Sequence, residues 1–99
     1  MASMRVALKR EAQRLAEPAT AMADHADEVC VPGEAVRRLY ALVQTCEQPE
    51  RTLQWAWRSL RRTHSVSGRY ADGLAATYLL ATLLYIRKID RGRRKAVHA

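Results

Sequence analysis

Leu74 to Ile86 reads LAATYLLATLLYI, thirteen residues without a charged side chain, and how this stretch is covered decides the fold. On a helical wheel at about 100° per residue, Tyr78, Ala81 and Tyr85 lie on one side, Leu80 and Leu84 on a second, and Leu79, Leu83 and Ile86 on a third. No side is polar, so the helix needs neighbours all round. The stretch falls short of the roughly 20 apolar residues that cross a bilayer, and Arg69, Asp72, Arg87 and Lys88 close its ends. It therefore belongs at the centre of a helical bundle or in a subunit interface, not in a membrane. Leu80, Leu83 and Leu84 are expected in the core.

The rest of the chain fits such a bundle. With 99 residues it makes one domain, and a composition rich in Ala, Leu and Arg, with Gly 4, Pro 3 and no Phe, favours helix. The formal charge of +7 is unevenly placed. Residues 1–50 hold six basic and eight acidic side chains, for −2, whereas 51–99 hold eleven and two, for +9. The second half thus presents a positive field, and most of it is Arg, whose planar fork suits phosphates. Two cysteines, Cys30 and Cys46, do not make a disulfide framework, and charged residues interrupt the N-terminus where a secretory signal would be apolar. The expectation is a reducing cytoplasm with both thiols free.

Working outward from the apolar stretch, an N-terminal stripe of Met4, Leu8, Leu15, Ala19, Met22, Ala26 and Val29 keeps one helical phase from about residue 2 to 29. Pro18 lies inside it and removes an amide, so the reading is one long helix kinked at Pro18, or two nearly coaxial helices. Glu11 sits within the stripe and is expected to bond a basic neighbour at the edge of the core. Pro32 and Glu34 mark the start of a second helix, about 33–46, burying Val36, Leu39, Tyr40, Val43 and Cys46. Gln48-Pro49 ends it and opens a third, about 50–63, with Leu53, Ala56, Trp57 and Leu60 inward. THSVSG, residues 63–68, reads as the turn before the fourth helix, about 69–90. The architecture is an all-α bundle of about four helices over residues 1–90, the last of them highly apolar, followed by a basic, flexible tail at 91–99.

No Gly-rich phosphate loop, nucleophile elbow or Cys-x-x-Cys pair is present, and no distinctive acid–base pair suggests catalysis. His25 and Cys30 lie close in sequence, but His64 and His98 are isolated, and the spacing matches no zinc pattern. The chain is read as a non-enzyme without metal or cofactor. One local feature stands out. Trp55 lies some 160° from Leu53 on the wheel and is flanked by Arg51, Arg58 and Arg62, where bundle packing gives no reason for an indole.

Together with Arg61, Arg69 and the run Arg87, Lys88, Arg91, Arg93, Arg94 and Lys95, this makes a basic face with an interleaved aromatic. Such surfaces track phosphate backbones and stack bases without reading sequence. In size, helicity and the charge of Arg51, Arg58, Arg61, Arg62 and Arg87 to Lys95, the chain resembles the small helical subunits of CRISPR effector complexes. That resemblance implies a scaffold role in a nucleoprotein filament, with basic surfaces on DNA or target strand and several copies side by side. The expected function is a non-catalytic nucleic-acid-binding subunit of a larger assembly, self-associating through residues 74–86. The rival is a homodimeric regulatory or adaptor protein whose arginines meet an acidic protein. A third reading is a helix-turn-helix DNA-binding regulator, since about three residues join the second and third helices and the latter carries Arg, Gln54 and Thr52; the join Glu47-Gln48-Pro49, however, lacks the usual glycine.

Overall fold

A computed structural model describes residues 3–17 and 32–98, with side chains up to Arg93. The described residues form four helices and no strand: α1 (Met4–Ala16), α2 (Pro32–Val43), α3 (Pro49–Ser67) and α4 (Tyr70–His98). The protein is all-α, as expected. The kink at Pro18 and the stripe residues Ala19, Met22, Ala26 and Val29 lie outside the described residues, as do His25, Cys30 and the side chains of Arg94, Lys95 and His98.

Each helix begins for a local reason. Ser3 caps α1, its hydroxyl accepting from the amide of Val6 at 3.3 Å. Pro32 and Pro49 open α2 and α3, where the missing amide has no partner to lose. The hydroxyl of Ser67 donates to the Asp72 carboxylate at 2.7 Å and accepts from the amide of Arg69 at 3.2 Å, which fixes the start of α4. Asp72 is nearly buried in that first turn, where the helix dipole favours its charge.

The turn expected across residues 63–68 shrinks to Gly68 and Arg69. Thr63 donates back to the carbonyl of Ser59 at 3.0 Å and leaves the helix unbroken, so α3 continues to Ser67. It stops at Gly68, whose φ of 65° is left-handed and whose amide donates to the carbonyl of His64 at 2.8 Å. At the other end, α4 runs past the expected end near Asp90 to His98. α3 and α4 make an antiparallel hairpin with the most extensive packing in the molecule, and α1 and α2 each lie against α4. His64 rests on Gly73 across the hairpin; a Cβ at Gly73 would come within 3.0 Å of the His64 Nε2.

The core is one cluster drawn from all four helices: Leu8, Ala12 and Leu15 from α1, Ala35, Leu39 and Val43 from α2, Leu53, Ala56 and Leu60 from α3, and Tyr78, Leu79 and Leu83 from α4. The expected phases of α1 and α3 hold, while Val36, Tyr40, Cys46 and Trp57 are half-buried at the edge. α4 differs from expectation in one respect. Its buried residues, from Ala71 to Ile86, fall within about 160° of the wheel, and outside that arc Leu84 is 53% exposed and Tyr85 44% exposed. Three neighbouring helices cover only one side of it. Leu84 is therefore a surface residue within the described structure, not a core one, and Leu80 is only half-buried.

Candidate nucleic-acid interface

The outward face of α3 repeats a basic or aromatic residue at Arg51, Trp55, Arg58 and Arg62, spacings of four, three and four that hold one side of a helix. Opposite them Leu53, Ala56 and Leu60 are fully buried, so packing locks the rotation of the helix and leaves the three arginines exposed. They line an open depression of about 790 Å³ together with Gln54, Arg61 and Ser65, and with Arg5 from α1. Arg5 was not foreseen, because the sequence does not say which helix lies beside α3. Its guanidinium sits over the Trp55 ring at 5.5 Å from the centroid.

Trp55 is not the wholly outward indole that the wheel suggests. It is half-buried and packs against the core, so the bundle does account for part of the indole. The wheel sets it opposite Leu53, yet the ring packs against the core, and Arg5 from the first turn of α1 lies over it. Trp57, on the other flank, is also half-buried, with the guanidinium of Arg61 at 5.0 Å from its ring centroid. Arg61 therefore stands between the two indoles.

The electrostatics of the depression are one-sided. Arg5, Arg51, Arg58, Arg61 and Arg62 all reach it, and among the described residues none of them has a carboxylate within ion-pairing distance. Elsewhere several acids have basic partners: Glu34 accepts from Arg38 at 2.9 Å and Glu50 faces Arg87 at 3.9 Å. Glu11 accepts from Arg14 through both oxygens, at 2.5 and 3.1 Å, which agrees with the expectation for that residue. The hydrogen bond and charge of Arg14, aided by the charge of Arg38 and opposed by partial burial, hold the Glu11 carboxyl below its ordinary value of 4.5.

Of the other basic residues singled out in the sequence, none whose side chain is described shares this depression. Arg69 lines a smaller recess with Arg10, Glu17 and Asp72. Arg87 turns toward Glu50, and Lys88 borders a trough between α2 and α4. Arg93 lies near Asp90, and Arg91 is exposed on α4. The site is thus narrower than the charge run suggests, an α3 face completed by α1. Among the described residues no three His, Cys, Asp or Glu side chains converge on a point, and no helix is long and apolar enough to cross a membrane. No protein-family model, no curated protein and no solved structure matches this chain.

Proposed function

We propose that the α3 face binds nucleic acid through its phosphates, without sequence readout, as a non-catalytic subunit of a nucleoprotein assembly. The observation that carries this reading is the cluster of Arg5, Arg51, Arg58, Arg61 and Arg62 around one depression with no carboxylate among them. Guanidiniums set close together without counter-charge repel one another, and a polyanion relieves that repulsion while releasing its own counterions. Trp55 supplies an aromatic surface at the wall of the same depression. The helix-turn-helix alternative has less support, since α3 packs mainly on α4 and touches α2 little. The overall size, helicity and basic second half that resemble small CRISPR effector subunits suit such a scaffold role.

The test is a titration of labelled oligonucleotides at several salt concentrations. Affinity should fall steeply and linearly on a log–log plot, and Arg58→Ala or Arg62→Ala should each weaken binding of every sequence and lower the slope by roughly one. Indifference to nucleic acid at low salt would end the reading.

A second reading, a self-pairing adaptor, is favoured by a different observation. Val36, Tyr40, Ala81, Leu84 and Tyr85 line an apolar trough of about 560 Å³ between α2 and α4, with Tyr40 and Tyr85 in edge contact at 5.4 Å. Sedimentation at micromolar concentration should then show a dimer that Leu84→Asp converts to monomer. A wild-type monomer at that concentration would remove it.

A further inference from the structure

Beside the arginine depression lies a second recess, between α3 and the start of α4, of about 570 Å³. Arg61 borders both, so the two adjoin at one side chain. The second recess differs in chemistry: its walls include Trp57, His64 and Tyr70, with Leu80 behind them. Tyr70 is 71% exposed, and the core makes no use of its ring. The exposed His64 ring lies against Gly73, and the Arg61 guanidinium lies over the Trp57 ring.

We infer that this recess is a base-stacking subsite and that the ligand of the α3 face is single-stranded nucleic acid, its backbone running along Arg51, Arg58 and Arg62 and its bases turning past Arg61 toward Trp57, His64 and Tyr70. The inference rests on the nucleic-acid reading above and deepens it. Arginines alone do not distinguish a duplex from a single strand, because both present phosphates at close spacing. Aromatic rings do distinguish them. A duplex hides the faces of its bases in its own stack, whereas an unpaired base can lie on an exposed ring, and every base has a face to offer. Two recesses in series, one cationic and one aromatic, match a strand whose phosphates and bases point to different sides. The path from Arg51 to His64 covers about 20 Å of helix, enough for at most about six nucleotides at duplex-like rise.

The experiment compares fluorescence anisotropy of a labelled oligothymidylate with that of a hairpin duplex carrying the same number of phosphates. The single strand should bind more tightly at moderate salt, with affinity levelling off once the strand exceeds about six nucleotides. Tyr70→Ala should weaken it by roughly five- to a hundredfold, the range of one lost stacking contact, and Tyr70→Phe should restore it. His64→Ala should act in the same direction, and a circular dichroism melt of each variant reports whether the fold survives. The duplex should be insensitive to Tyr70→Ala. If Arg58→Ala weakens binding while duplex and single strand bind alike and Tyr70→Ala changes neither, the stacking subsite is wrong and the phosphate-binding reading stands. If neither probe binds, both fall.

Discussion

Leu83 and Leu84 are neighbours of identical chemistry on α4, yet one is 1% exposed and the other 53%. Replacing each by Ala therefore isolates burial, because any gain in helix propensity is the same for both. Leu83→Ala removes roughly three methylene equivalents, worth about 2.4 kcal/mol of transfer at about 0.8 each. It belongs to the core cluster drawn from all four helices, so a cavity remains and the expected loss is about 2–5 kcal/mol. Leu84→Ala forfeits about half the transfer and leaves no cavity, for a loss of about 1 kcal/mol or less. Urea unfolding at a constant m value reads the difference, and in a chain of this size each kcal/mol moves the melting midpoint by about 4–8 °C. Equal losses at a low protein concentration would refute the assignment of α4's buried arc. Equal losses only at high concentration, with a melting point that rises with concentration, would mean that a second copy covers Leu84.

Three further predictions come from the ends of helices and from one ion pair. Gly68→Ala should cost about 1–2 kcal/mol, since the residue sits at a φ of 65° with open space around it, and chemical denaturation would register the backbone strain alone. Ser67→Ala should cost about 1–2 kcal/mol by taking the hydroxyl partner from nearly buried Asp72, and Ser67→Thr, which keeps a hydroxyl, should recover part of it. Glu11 has a lowered folded-state pKa, so its contribution is fully present above its ordinary value of 4.5 and is lost as pH falls below that value through the folded one. Stability measured against pH in that acid window should therefore fall less steeply in Glu11→Gln than in the parent, and identical profiles would dissociate the pair from stability.

The parts of this fold that sequence alone discloses are those set by periodicity. The inward phases of Leu8 and Leu15, Leu39 and Val43, and Leu53, Ala56 and Leu60 all follow from spacing, and all are buried. What periodicity does not contain is the number of neighbours a helix finds. The stretch from 74 to 86 is apolar at every angle, so nothing in it marks the side that three helices leave open. The same holds for the turn. THSVSG contains three hydroxyl residues that serve turns and helix interiors alike, and only Gly68 adopts a conformation that ends a helix; Thr63 and Ser67 bond in ways that prolong α3 and start α4. Within the candidate site, the α3 residues were legible from one helix wheel, whereas Arg5 and the link through Arg61 to His64 and Tyr70 depend on how separate helices dock.

The two surfaces that carry the competing readings share no lining residue. The arginine depression belongs to α3 and α1, and the apolar trough to α2 and α4. The two surfaces therefore do not overlap. Pairing through the trough would join two arginine faces in one particle, so that a strand long enough to reach both would be held by two sites at a high effective concentration, while a strand spanning one site would not. The phosphate-binding and self-pairing proposals would then be compatible in one assembly, and the dependence of affinity on strand length would separate the contribution of pairing from that of the arginines.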